Sequence, residues 1–524
     1  MLRIHNVKIP LGKTNYRQIL SQVLNIREKY IHDVHLVKQS IDARREKVHF
    51  ICSFDFTVDD EDTVLKQHPM LKKVEPYHYH YYPKNDQEVV IVGSGPAGLF
   101  CAYILSQVGQ KVTVIERGSK IEDRVKAVDD LMHHGHLHPQ SNIAFGEGGA
   151  GTFSDGKLTT GIKDHRLQYI LETFVKHGAP EDILYLSKPH IGTDYLRKVI
   201  VSMRHEMESK GVTFLFDSQM IDFDYHDSFD IHVLSNKKQQ TINADALVLA
   251  IGHSARDTYE MLYRKGVTME QKAFAVGVRI EQSQEAINRI QYKKSYNSPY
   301  LKAAPYQMAV HTSNGRGVYT FCMCPGGYVV PSMHEEGSLC VNGMSYYARD
   351  GQNANSAILV NVTTDDFSSD HPLAGVEFQR QLEKKAFELG GRNYYAPVQL
   401  VKDYYLNQVT TSLGTLKPTY QPGYCFADLN ELFPKFINES LKEGLQLMNQ
   451  KMSGFIDDNT LITGVEARSS APVRMIRNHY YQSQIPHLYP IGEGAGYAGG
   501  IMSAAVDGIK CAEMILKEDV NGSN

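Results

Sequence analysis

The sequence predicts an α/β fold, α+β overall, and three observations carry that reading. Val89–Val92 is a short apolar run that ends in Gly93-Ser94-Gly95-Pro96-Ala97-Gly98 and leads into the helical pattern LFCAYILSQVG and the strand KVTVIE. Residues 4–82 alternate strand, helix, strand, strand, helix, strand, and residues 272–457 are rich in alternating strands. Together they predict a Rossmann-like domain with an inserted mixed β-sheet domain, preceded by a ferredoxin-like α+β domain.

Taken in order, IHNVKIP, VHLVKQSI, KVHFICSFDF and KKVEPYHYHYY have the character of strands, and NYRQILSQVLNI and DEDTVLKQH that of helices. Residues 83–86 are polar and include a proline, which sets the first boundary, so the N-terminal domain is residues 1–86. Residues 87–271 follow, where GVTFLFD and IHVLS lead to ALVLAIG, a buried strand expected to close a β-meander. The domain at 272–457 combines AFAVGVRIE, GVYTFCMC, SLCVNGMSYY and SAILVNVT with the amphipathic helix GVEFQRQLEKKAFEL, and is the expected substrate domain. Residues 458–524 end in a strand, a glycine-rich turn and a helix, too little to stand alone, and are expected to return to the 87–271 domain.

Composition excludes several classes. Hydrophobic residues make up 42% and charged residues 22%, and the formal net charge is -4, so charge gives no support for a nucleic-acid partner. No window approaches the roughly 20 apolar residues that cross a bilayer. Met1 is followed by Leu2, Arg3 and His5 rather than an apolar secretory core, and the seven cysteines are an odd number spread over a long chain, which makes the cytoplasm the expected compartment.

The glycine segment carries the chemistry. Gly93 permits a tight turn, Gly95 lets backbone approach a pyrophosphate, and Gly98 lets helix and strand pack closely. Pro96 and Ala97 open the helix whose amides would face the phosphates, and Glu116, at the end of the next strand, is placed to accept ribose hydroxyls, with Arg117 beside it. Strand, turn, helix and terminal acid at this spacing predict a bound dinucleotide.

GSGPAG resembles the FAD-binding form of this motif, and LYPIGEGAGYAGGIMSAAVDG resembles the second flavin motif of the glutathione-reductase structural superfamily. The resemblance implies that Glu493, where an Asp is usual, holds the ribityl hydroxyls between Gly492 and Gly494, and that the helix starting near Gly499, Gly500 and Ile501 points its amides at the flavin. Gly148, Gly149, Ala150, Gly151 and Thr152 lie in a glycine-rich segment close to the cofactor, Ala250 and Gly252 in the strand-and-glycine element after the meander, and Met220 in the backbone adenine contact. Arg124 is placed to reach the pyrophosphate. With its FGEGGAGTFSDGKL and CMCPGG segments the chain resembles the FAD-dependent dehydrogenases, or NAD(P)/FAD-dependent oxidoreductases, of that superfamily. The family implies a non-covalent FAD and hydride exchange with a small-molecule substrate. Residues 142–160 lack the paired cysteines of the disulfide reductases, and no second glycine fingerprint provides an NAD(P)H domain, so any NAD(P)H is expected to bind as a transient electron donor or not at all.

Other candidates have plainer readings beside the functional one. Cys322 and Cys324 are weak candidates for redox thiols, against packing before a Pro-Gly-Gly turn. His133, His134, His136 and His138 lack fixed-spacing acidic or cysteine partners, so no metal site is expected, and a loop position leading to the flavin segment is. Arg44, Arg45 and Lys47 read as a solvated turn. An alternative function, RNA modification or binding, would use His78, Tyr79, His80, Tyr81 and Tyr82 as a stacking surface. His311 and Tyr328 sit in the substrate domain without an assignable role as acid or base, and the oligomeric state is not encoded in any motif.

Overall fold

The computed structural model describes residues 1–521. The N-terminal unit runs β1 (Leu2–Pro10), α1 (Tyr16–Leu24), β2 (Ile31–Asp42), β3 (His49–Val58), α2 (Glu61–Gln67) and β4 (Lys72–Lys73). These strands form an antiparallel sheet in the order β2-β3-β1-β4. Asn15 and Asp60 cap the two helices by accepting the amides of Gln18 and Thr63, and Leu2, Ile4, Leu20, Phe54 and Phe56 fill the core beneath them. The strand expected through KKVEPYHYHYY is only two residues long. Beyond it Tyr79 stacks on Tyr169 at 4.4 Å and donates to Glu513 at 3.0 Å, while the Tyr81 and Tyr169 hydroxyls meet at 2.7 Å. The aromatics expected to form an RNA-stacking surface are in part spent on the next unit, because their ladder partners are missing and apolar rings pack where they can.

That unit contains β5 (Glu88–Val92), α3 (Pro96–Gln107), β6 (Lys111–Ile115), α4 (Ile121–His134), α5 (Arg166–Lys176), α6 (Thr193–Ser209), β7 (Thr213–Leu215), β8 (Ser218–Tyr225), β9 (Phe229–Ser235), β10 (Lys238–Ala244), β11 (Ala246–Leu249), α7 (Arg256–Arg264) and β12 (Met269–Gln271). β8, β9 and β10 make the antiparallel meander. β11 does not close it. All four of its residues are buried, so it needs cover on both faces and joins the parallel sheet beside β5, with β6 and β7 beyond.

The second unit comprises β13 (Phe274–Ser283), α8 (Gln284–Tyr292), β14 (Ala309–His311), β15 (Gly317–Cys324), β16 (Tyr328–Pro331), β17 (Val341–Met344), β18 (Asn353–Val362), α9 (Ala374–Leu389), β19 (Ala396–Leu400), α10 (Val401–Leu406), β20 (Tyr424–Phe426), α11 (Lys435–Lys451) and β21 (Leu461–Glu466). Its seven-stranded sheet has the order β14-β15-β18-β13-β21-β19-β20. β21 pairs with both β13 and β19, so the unit runs past the expected boundary at 457 to Glu466: a strand buried along its whole length near the sheet's centre cannot belong to its neighbour.

β22 (Val473–Met475) pairs with β12, bringing the two crossings between units side by side. β23 (Leu488–Pro490) then completes the parallel sheet, β23-β11-β5-β6-β7, and α12 (Ile501–Asn521) packs on α3, which is buried from Ala97 to Ser106. Glu383 of α9 receives two-pronged pairs from Arg256 of α7, at 2.7 and 2.9 Å, and from Arg468, at 2.7 and 2.6 Å, welding the units through buried charge. Among the described residues no helix is long and apolar enough to cross a membrane.

Candidate functional site

A cavity of about 580 Å³ runs from the carboxyl ends of β5, β6 and β11 to the wall made by β15 and β17. Three glycines shape its start. Gly93 has φ +103° and a methyl there would strike the carbonyl of Ala250; one on Gly98 would strike the carbonyl of Gly93. Gly95 differs: a methyl would meet only Gly149 Cα at 3.8 Å, because this glycine faces the cavity. Pro96 stands at the first turn of α3, where its missing N–H costs nothing, and Ala97 lines the cavity beside it.

Glu116 ties this turn to the glycine-rich segment. Its Oε2 accepts Ser94 N at 2.9 Å and Ser94 Oγ at 2.7 Å, and its Oε1 accepts the amides of Gly118 and Gly146 at 3.0 and 3.1 Å. Arg117 also lines the cavity, donating to Asp257 and Thr258 at 2.9 Å with its guanidinium 4.4 Å from the Phe145 ring centroid; Met220 lies on the same stretch of wall.

Arg124 does not line the cavity, contrary to expectation. It is fully buried, and its fork is consumed by the carbonyls of Asn142, Ile143, Gly146 and Glu147 at 2.6–3.2 Å, so it shapes the glycine segment from behind. Burial outweighs Glu116 and Glu147 and lowers its pKa to about 9. Gly98, Gly148, Thr152 and Gly494 are likewise packing positions off the cavity. Thr152 Oγ1 donates to the Glu147 carbonyl at 3.2 Å, and methyls on Gly148 and Gly494 would strike Thr152 Oγ1 and Gly252 backbone. Gly149, Ala150, Gly151, Ala250 and Gly252 do line it.

The late glycine segment closes the cavity from β23. Gly492 donates its amide to Asp507 at 2.7 Å, and Asp507 is clamped by Arg477 at 2.7 and 2.9 Å. Gly499 and Gly500 have nothing within 4 Å of a would-be methyl, and Ile501 begins α12, so helix amides open onto the cavity. Between them stands Glu493. Burial pushes its carboxyl up to about 7 against a weak pull from Lys272, and the nearest paired group, His253 Nε2, is 4.0 Å away. His253 is lowered to about 4 by burial and by Arg468 and Arg256.

At the far end β15 bulges between Phe321 and Cys324, and Cys322 sits at φ +45°. Both thiols are free and both line the cavity. Arg279 donates to the Cys322 carbonyl at 2.5 Å and to Cys324 Sγ at 3.4 Å, and Lys157 Nζ is 3.9 Å from that sulfur. Burial raises the Cys322 thiol to about 11. Asp155, Lys157, Arg349, Arg468 and His253 also line the cavity, and sequence reasoning missed them. FSDGKL carries the first two and His253 directly follows Gly252, whereas Arg349 and Arg468 come from segments remote in sequence. His311 and Tyr328 are not on its wall. The histidine run is not partnerless: His136 and His138 both contact Asp130, at 3.2 and 2.8 Å, while His133 and His134 end α4. Among the described residues no group of three metal-ligating side chains occurs.

Residues 273–469 match the family "FAD-dependent protein, C-terminal domain-like", residues 88–134 match "Pyridine nucleotide-disulphide oxidoreductase", and residues 1–57 match a domain of unknown function. An "Uncharacterized protein" of Clostridium beijerinckii is 44% identical over 99% of this chain and 99% of its own. The chain belongs to this family of FAD-dependent oxidoreductases. The family's C-terminal domain spans β13 to β21, in keeping with the position of β21 in the second sheet. Over 69 residues, 13% of this FAD-dependent chain and 10% of the other, an L-glutamate oxidase precursor of Streptomyces viridosporus is 39% identical. A flavin-dependent brominase structure aligns at 12% identity with TM-score 0.38, covering 84% of this chain and 81% of that one.

Proposed function

We propose that the protein binds FAD non-covalently along the cavity and moves a hydride between it and a small-molecule substrate lodged between the glutathione-reductase-type FAD domain and the inserted sheet. The observation that carries this reading is the continuity of one cavity from Gly95 to the Lys157 and Cys324 wall. The residues fit the cofactor. Gly95 leaves open the space a pyrophosphate needs, the N-termini of α3 and α12 open onto the cavity, and Glu493 is a half-buried carboxyl short of hydrogen-bond partners on the same wall.

Bound FAD supplies the two-electron redox chemistry, and the chain supplies placement and electrostatics. Gly95, Pro96, Ala97, Gly149, Ala150 and Gly151 would hold the pyrophosphate stretch, and Met220 and Arg117 the adenine end. Glu116 has its four lone-pair directions engaged, so a ribose hydroxyl would displace Ser94 Oγ, the one donor of the four that rotates freely. Glu493 would accept the ribityl hydroxyls. The amides at Gly500 and Ile501 favour negative charge where α12 begins. Arg124, Glu147 and Arg204 keep the glycine segment in place, with Glu147 accepting Ile121 N and Arg204 Nε, each at 2.8 Å.

Dehydrogenase or reductase is the preferred class, with NAD(P)H as a transient donor, and the seven free cysteines suit a reducing cytoplasm. The N-terminal unit is proposed as a ferredoxin-like domain docked through Tyr79. The test is the visible spectrum of purified protein followed by anaerobic NADH and NADPH. A yellow protein that bleaches is a nicotinamide-fed reductase; one that stays oxidised takes its hydride from the organic substrate. A colourless protein that no added FAD can load refutes the proposal.

A further inference from the structure

At the inserted-sheet end of the cavity two cations share one carboxylate. Asp155 accepts Arg349 Nε and Nη2 at 3.0 and 2.5 Å and Ser345 Oγ at 2.6 Å, and Lys157 Nζ lies 3.0 Å from its Oδ2. The neighbouring charges do not supply the missing anion. Arg279 is matched by Glu466 at 2.7 Å, and burial with the repulsion of Arg349 keeps His190 neutral, its pKa lowered to about 4. The Cys322 thiol, raised to about 11, is neutral as well. Two cations thus face the single carboxylate of Asp155 at the half-buried cavity wall, where an ion short of a partner is less well solvated than in open water. The pair is also reachable: the Lys157 side chain is 30% accessible, and both Lys157 and Arg349 are on the cavity wall.

We propose that the substrate is an organic carboxylate whose anionic group is held by Lys157 and Arg349, a reading that specifies the substrate class of the flavin site proposed above and rests on it. A single surplus charge matches a carboxylate rather than a phosphate dianion. Phe321 and Met323 line the same wall and offer apolar contact to the rest of such a molecule. Lysine and arginine donate charge-assisted bonds here without Asp155 having to move, so the subsite exists before substrate arrives.

The test uses benzoate as probe, with chloride and inorganic phosphate at matched ionic strength as controls. Binding is read twice: as perturbation of the visible flavin band in FAD-loaded protein, and by calorimetry on FAD-free protein. Benzoate should bind saturably, Lys157→Met should weaken it by about tenfold or more, and Lys157→Arg should restore most of the loss. FAD content and melting temperature check that Lys157→Met is folded. The proposal is overturned if chloride or phosphate does as well as benzoate, or if Lys157→Met binds benzoate like the parent. It is overturned too if the parent binds no benzoate and shows ultraviolet thiolate absorption that Cys324→Ser removes, since the sulfur then supplies the missing charge. Protein that takes up no FAD yet binds benzoate through Lys157 supports the anion subsite while refuting the cofactor.

Discussion

Replacing Glu493 by Gln should make the cofactor-free protein more stable and the cofactor-loaded protein weaker in its grip on FAD. In the fold the carboxyl is raised from 4.5 to about 7, chiefly because burial disfavours its charged form. That gap corresponds to about 3 kcal/mol, and since 26% of the side chain is open to a cavity that water screens, about 2 kcal/mol is the expected effect. The sign follows from proton binding. Below 4.5 the group is neutral folded and unfolded, so Gln changes little. Between 4.5 and about 7 the unfolded chain releases a proton that the fold retains, and parent stability falls as pH rises; above about 7 the whole penalty is present. Denaturant unfolding of cofactor-stripped protein, parent against Glu493→Gln, should therefore show an advantage for the variant that is small at the acid end and grows to about 2 kcal/mol at mildly alkaline pH. FAD titration should show the opposite preference, with affinity reduced by about tenfold to a hundredfold once a charged acceptor is lost. A variant advantage that shrinks with rising pH, or FAD binding unaltered by the change, would refute the reasoning.

The glycines separate by role: Gly95→Ala should leave the melting temperature of apo protein nearly unchanged but abolish FAD loading, whereas Gly98→Ala, forced into the Gly93 carbonyl, should destabilise the fold by about 3 kcal/mol or more, read by thermal melts. Arg124→Lys should cost about 3 kcal/mol, because an ammonium cannot reach the four carbonyls a guanidinium fork serves, and limited proteolysis should cut first in residues 142–148. Tyr79→Ala removes a stacked ring and a hydrogen bond to Glu513 and should loosen the N-terminal unit by about 2–4 kcal/mol, seen as faster hydrogen exchange in β1 and β3 without loss of FAD.

What was legible in the sequence follows the range over which each interaction acts. The turn at Gly93 and Gly98 is local in that Gly93 takes a positive φ and Gly98 comes up against the Gly93 carbonyl five residues back, and the four-stranded N-terminal unit follows from periodicities in consecutive segments. Glu493 and Gly500 were named through the resemblance of LYPIGEGAGYAGGIMSAAVDG to a flavin motif. Arg124 was misread because its partners appear only when the chain folds back 18 to 23 residues later, turning a cofactor-facing arginine into a brace. β21 was assigned to the wrong unit because a short buried strand says nothing about its partner, and its partner β13 lies far upstream. The Asp155 and Arg349 pair is 194 residues apart in sequence, so no local pattern could reveal that two cations converge on one acid. His136 and His138 lacked partners on paper because Asp130 lies on the helix before them.

Chain order also decides when the site can exist. β5, α3, β6 and β11 leave the ribosome ahead of the inserted sheet, whereas β23, Glu493 and α12 follow it. Throughout synthesis of the insert, β11 has a bare edge where β23 will pair, and the flank of α3 that α12 will cover is exposed apolar surface. Premature termination anywhere in the insert leaves a parallel sheet without β23 and without the cover of α12. With FAD held as proposed, its loading waits until beginning and end of the chain have met.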